Sequence, residues 1–553
     1  MTLISTRTSR TLAWGFLAAC GGAVGCSTLT SPLPPDANIR RPIAPPQLPP
    51  PPIPTKLPDP PAARPEGAPE PPAPTRDDAP LALAEVLGSV QTHFPLLYAV
   101  EQERGIAGGQ RLAAEGQFDL LLRARGADQG GTFSNGRLDV GVEQPTPFGG
   151  ATTYAGWRLG QGNFPVYYGD RKTADGGEFR AGVTLPLLQN RDIDPRRARL
   201  RAAQITEQLA DPQVRRARLD YFRNAAQAYW SWVSAGSQYQ VAEEVLKLAL
   251  DRQALIDEQR RQQLVPETVQ VLNRRLAAGR EEQLLAADRA VQQAAVRLSL
   301  FLRDANGNPI TPPSGWLPAR FVDVVPPPPN AAHLKDDVEA ALSRRPELVR
   351  FALQKQRSAV DLKLADNQLY PAVNVFAAVA QDAGLAKKTF TGEGPFATDR
   401  TNAEVGLWFE MPLQRRDALG RAATARSQMA QLLAQERFAR DEITAQVQDA
   451  VSELDRTYLR VEKARVELRE AVRVRNLEAE SFRAGRTSLV DLNLQEVAAA
   501  EAQVKVVAIL AMYFRGVAEY LAALGTDPVD PARARGCVLP QTEPLGVVQP
   551  KKP

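Results

Sequence analysis

The sequence predicts a mainly α chain with β structure: a long antiparallel coiled-coil helical barrel, joined to a four-strand contribution to a transmembrane β-barrel that several copies share. Three observations predict this. Two distant segments repeat one order of elements, so the chain holds two internal repeats. Very long stretches carry apolar residues at a seven-residue spacing. Each repeat also carries two short runs of period-two alternation, the second closed by a proline.

The chain has 553 residues and a formal net charge of +4, which gives no electrostatic case for a nucleic-acid partner. Its two histidines, His93 and His333, and three cysteines form no cluster, so a metal site would rest on carboxylates alone. Neither a Ser/His/Asp grouping nor a P-loop is present. No enzyme is expected, and no cofactor.

The elements follow in order. Arg7 and Arg10 precede an apolar run, Thr11 to Ala19, that is too short to span a bilayer and fits an export signal. It ends in Leu17-Ala18-Ala19-Cys20, which resembles the lipobox of bacterial lipoproteins; Ala23-Val24-Gly25-Cys26 is the alternative. Residues 1–26 are thus read as a lipoprotein-type signal peptide with cleavage before Cys20 or Cys26. Residues 27–80 form a proline-rich linker, including "PPQLPPPPIP" at Pro45 to Pro54, expected to be extended. Cys537 stands alone in a C-terminal tail, 528–553, and implies no disulfide framework.

Between these, the first repeat is expected over 81–330 and the second over 331–527. The helical stretch from Ala82 matches the one from Asp337, with Pro95 and Pro346 at equivalent places. Alternation follows: Phe118, Leu120 and Leu122 in one copy, Val373, Val375 and Ala377 in the other. The second alternating runs are "FRAGVTLPLLQNRD" at Phe179 to Asp192 and "EVGLWFEMPLQRRD" at Glu404 to Asp417. The first copy also holds a Gly- and aromatic-rich stretch from Asn135 to Glu178, with a turn at Gln144 to Gly150. This stretch either lengthens the barrel strands or forms an external loop. Tyr154, Trp157, Tyr167, Tyr168 and Trp408 are either an interfacial belt or scattered loop aromatics.

Long helices are predicted for Ile193 to Gln263 and Gln414 to Ala484. In the second, Val447, Leu454, Val461 and Leu468 form one seam row, and Ile443, Ala450, Thr457, Ala464 and Ala471 the other. Breaks fall at Gln263 to Thr268 and Ala484 to Ser488, each followed by another helix; the last ends at Gly525 with Pro528 beyond. A 70-residue helix extends about 105 Å at 1.5 Å per residue, so two shorter helices stack end to end beside it. The breaks then become hairpin tips far from the strands. Four strands cannot close a barrel, and open edges are not tolerated in lipid, so three copies would pool twelve.

This arrangement resembles the TolC/OprM-type outer-membrane factor family. The resemblance runs from about Leu81 to Asp527. It rests on the "RRPEL" helix opening at Arg344 to Leu348, the G-x5-P-L element at Gly406 to Leu413, and "FRAGRTSLVDL" at the second tip. The family implies a homotrimeric, 12-stranded outer-membrane channel above a periplasmic helical tunnel. A periplasmic adaptor protein of an inner-membrane pump opens it by docking on the tips, and drugs or other toxic small molecules leave through it. The tip positions that the resemblance marks as adaptor contacts are Leu264, Val265, Pro266 and Glu267, and Gly485, Arg486, Thr487, Ser488 and Leu489. The first tip lacks the glycine. Asp491 matches the acidic ring at the pore constriction, and also fits a helix cap with Ser488. A type I protein-secretion channel is the alternative function, and a periplasmic coiled-coil scaffold a lower one.

Overall fold

The computed structural model describes residues 79–165, 172–318, 320–329, 333–384 and 401–529. All of them belong to the second of two compact units, Arg76–Pro553. Cys20, Cys26, Tyr167, Tyr168, Cys537 and nearly all of the proline-rich linker lie outside the described residues.

Helices α1 (Leu83–His93) and α2 (Pro95–Glu115) open the first half. They are two helices and not one because Pro95 holds Phe94 extended, at ψ 115°. Strands β1 (Leu121–Gln129), β2 (Asn135–Pro145), β3 (Thr152–Gly162) and β4 (Glu178–Pro186) follow. Helix α3 (Pro195–Arg261) starts on Asp194, whose carboxylate accepts the amides of Arg196 and Arg197 at 2.8 and 3.0 Å, with Pro195 in the first turn. Helix α4 (Glu267–Ser299) completes this half.

The second half has α5 (Leu334–Arg344), α6 (Pro346–Asn367), β5 (Ala372–Asp382), β6 (Thr401–Glu410), α7 (Arg416–Arg483) and α8 (Leu489–Ala523). Corresponding helices match in length: 11, 21, 67 and 33 residues against 11, 22, 68 and 35. Arg345 is the counterpart of Phe94. Its buried guanidinium donates to the Ala522 carbonyl at 2.8 Å and to Gln446 Oε1 at 2.7 Å, tying the α5–α6 corner to α8 and α7. Burial lowers its pKa to about 10, which leaves it charged at neutral pH.

One expectation is corrected here. Among the described residues the strands number six, not four, in a single antiparallel sheet of order β1-β2-β3-β4-β5-β6, so three copies would not bring twelve. The stretch from Asn135 folds as the β2–β3 hairpin and joins the sheet between β1 and β4. Its alternation of Leu138, Val140 and Val142 with Arg137, Asp139 and Glu143 is a strand pattern that its glycines obscured. The hairpin closes through Thr146, whose amide donates to the Ala151 carbonyl at 2.8 Å. Phe118 lies in a short 3-10 turn, so the first strand starts at Leu121, later than its alternation suggested.

The main core sits midway along the helices. Trp230 of α3 stacks on Phe514 of α8 at 4.4 Å between centroids and on Phe321 at 5.8 Å. Phe321 belongs to the segment joining the halves, which crosses the rod here. Leu317 of that segment fills the space left by Gly236 on α3, where an added Cβ would stand 2.2 Å from the Leu317 side chain. Tyr513 secures the same segment by donating to the Pro327 carbonyl at 2.5 Å. The predicted seam is buried along α7 from Ile443 to Ala464 (Ile443, Val447, Ala450, Leu454, Thr457, Val461 and Ala464), while its last two members, Leu468 and Ala471, are only half-buried. Helix α8 is long and apolar enough to cross a membrane, but Val506, Leu510, Tyr513, Phe514, Val517 and Leu521 are spent on this core.

Candidate functional site

Strand register decides what each face of the sheet carries, because successive side chains point to opposite sides. On one side lie Leu122, Leu138, Val140, Phe179, Val183, Leu185, Val379, Val405, Leu407 and Phe409, all exposed in the single chain. A contiguous apolar surface of this size on a soluble face would be a liability. The strands are 9 to 11 residues long, the length that crosses a bilayer when tilted.

The opposite face is charged. Arg123 pairs with Glu143 at 3.0 Å, Arg158 pairs with Glu178, and Arg180 reaches Glu404 at 3.4 Å. The last pair spans β5, where Ala378 and Ala380 on the same face leave room. Arg125 stands opposite Asp139. An apolar outer face and a polar inner one are the two surfaces of a membrane β-barrel wall. The charges of this face were not singled out from the sequence, although each falls at the polar parity of an alternating run.

The same parity separates the aromatics. Tyr154 and Trp408 are on the charged face, opposite the apolar one. Trp157 is on the apolar face, its indole N–H donating to the Gly176 carbonyl at 2.9 Å.

At about 100 Å from the sheet, by helix rise, α3 and α7 reverse into α4 and α8. The two reversals share one backbone conformation. Gln262 and Ala484 both cap at φ −81°, ψ 3°, and the next residue is left-handed: Gln263 at φ 60° and Gly485 at φ 69°. In each, the following amide reaches back to the last helical turn, Leu264 to the Gln259 carbonyl at 2.8 Å and Arg486 to Ser481 at 2.9 Å. The missing glycine therefore leaves the turn unchanged.

Leu264, Pro266, Glu267, Gly485, Arg486 and Ser488 are exposed, and Val265 and Thr487 half-buried. Leu489 differs: at 4% exposure it is packed under the second tip. The tips differ in how the second helix is held. Ser488 Oγ accepts the Asp491 amide at 3.2 Å and donates to its carboxylate at 2.6 Å. That hydroxyl is the main reason the Asp491 pKa lies below the ordinary carboxylate value. The first tip begins α4 on Pro266 with no side-chain cap. There Asp257 of α3 accepts from Gln253 and Gln270 at 2.7 Å each, clamping α4 to α3, and the Gln270 amide leads in lowering its pKa.

Among solved structures, the chain superposes on the open-state MtrE outer membrane channel of Neisseria gonorrhoeae with a TM-score of 0.58 at 15% identity, covering 81% of this chain and 89% of that one. The Campylobacter jejuni CmeC outer membrane channel gives 0.56 at 13%, covering 82% and 90%. The Vibrio cholerae outer membrane protein VceC gives 0.55 at 16%, covering 80% and 96%. The fold is the outer-membrane-factor fold. No protein-family model and no curated sequence matches the chain, so the likeness lies in the fold. The outer-membrane-factor fold thus places a two-faced sheet at one end and two helix reversals at the other, with the core between them.

Proposed function

We propose that this chain is the outer-membrane channel of a tripartite export system, a homotrimer passing small molecules such as drugs and toxic compounds to the exterior. Two repeats, 81–330 and 331–527, each supply strands to the wall and helices to a periplasmic stem. The observation that carries the reading is the sheet: membrane-length strands with one continuous apolar face and one face of paired charges. Such a sheet is stable only when closed in lipid around water.

The remaining roles belong to the same reading. Lipid on Cys20, or on Cys26, would anchor the chain to the outer membrane through the proline-rich linker. The tip residues, Leu264 to Glu267 and Gly485 to Ser488, are the adaptor-docking surface, with Leu489 as the buried support beneath. Asp491, next to the second tip, would form an acidic ring by threefold symmetry while capping its helix; such a ring favours cations over anions.

Reconstitution of the purified full chain in planar bilayers tests the reading. Trimer bands on unboiled gels together with single-channel conductance are expected. A monomer that conducts nothing would refute the channel.

A further inference from the structure

Two strands of the sheet have an open side. Among the described residues β1 and β6 each pair on one side only, and lipid does not tolerate the exposed amides and carbonyls of the other. Six strands in antiparallel series make β1 and β6 run in opposite directions, so β6 of one copy placed beside β1 of the next extends the same antiparallel ladder. The faces continue as well. Leu122 of β1 and Leu407 of β6 are both on the apolar side. On the charged side β6 carries Glu404 and Glu410 and no cation, while β1 carries Arg123 and Arg125 and no acid.

We propose that β1 pairs with β6 of a second copy of this chain, and that the β2–β3 hairpin is part of the wall. Combined with the trimeric reading above, on which the count rests, this closes an eighteen-stranded barrel. Strand spacing near 4.8 Å and tilt near 40° give eighteen strands a perimeter of about 110 Å, against about 75 Å for twelve. The stem sets the comparison. Four helices lie abreast in each chain, in the order α4-α3-α8-α7 near the tips, so three chains bring twelve. At 8–10 Å between axes these span about 95–120 Å. The hairpin therefore widens the barrel to the girth of its own stem, and the lumen to about 35 Å between backbones.

Adjacent residues of β2 report opposite sides of the wall. In reconstituted full-length protein, measured against the same chain without the added cysteine, Asp139→Cys should react with a charged, water-soluble thiol reagent and lower the conductance. Val140→Cys should resist that reagent, and when labelled with a lipid-soluble fluorophore before reconstitution should be quenched by brominated phospholipid. Ala155→Cys repeats the lipid-side measurement on β3 should Val140→Cys fail to assemble. For the joint, Arg125→Cys combined in turn with Asn402→Cys, Glu404→Cys or Gly406→Cys should form inter-subunit disulfides in at least one pairing. Native mass spectrometry should count three copies. If trimers conduct but both β2 cysteines react with the aqueous reagent, the hairpin is outside the wall and this inference fails while the channel stands. Trimers with no cross-link in any pairing overturn the joint, and another copy number overturns the eighteen. Loss of both trimer and conductance in the unsubstituted chain defeats the inference and the channel together.

Discussion

The two helix reversals are a matched pair that differ in one respect, which allows backbone strain to be measured within one molecule. Gln263 and Gly485 occupy the same left-handed position, at φ 60° and 69°. A Cβ added at Gly485 would meet nothing within 4 Å, so its substitution changes backbone energy alone. Left-handed backbone costs a residue with a Cβ about 1–2 kcal/mol, and glycine loses about 0.5–1 kcal/mol more on ordering. The net is about 0.5–1 kcal/mol in favour of glycine, or two- to five-fold in a local opening equilibrium. Gln263→Gly should therefore slow exchange of the Leu264 amide, which donates to the Gln259 carbonyl, by roughly that factor. Gly485→Ala should speed exchange of the Arg486 amide by a similar factor. Amide hydrogen exchange in the assembled protein reads both. Equal rates in all three proteins, or shifts of the same sign, would refute the claim that the turns share one strained position.

Three further outcomes are expected. The depressed Asp491 pKa means its charge stabilises the second tip above the ordinary carboxylate value of 3.8 and loses that effect as pH falls below it. Asp491→Asn should thus fray the tip at neutral pH and match the parent in strong acid, read by amide exchange; independently, Asp491→Ala should change cation block of single-channel currents if the acidic ring forms. Arg252 of α3 and Glu496 of α8 form a buried ion pair, so Arg252→Ala should cost about 3–5 kcal/mol by stranding the carboxylate, whereas Arg252→Met with Glu496→Leu should recover most of it in thermal unfolding followed by circular dichroism. Gly236→Ala should overpack against Leu317 by about 1–3 kcal/mol and expose the segment joining the halves to protease, and adding Leu317→Ala should restore protection.

The long helices were legible in the sequence because their causes are local. Heptad spacing, the cap at Ser488, and the breaks after Arg261 and Arg483 depend on residues within a turn or two of one another. The hydrogen bonds of a helix also close within it. The divisions at Pro95 and Pro346 were not anticipated: one helical stretch is expected through each proline, whereas its steric effect on the preceding residue splits the stretch in two. Only tertiary structure decided the number of strands, the joining of β2 and β3 to β1 and β4, and therefore which arginines and glutamates share a face. Strand pairing is a contract with distant chain: β4 finds β5 nearly two hundred residues later, and no local pattern names that partner. The left-handed Gln263 is of the same kind. Its side chain offers no reason for the conformation, which comes from the demand that α4 return along α3.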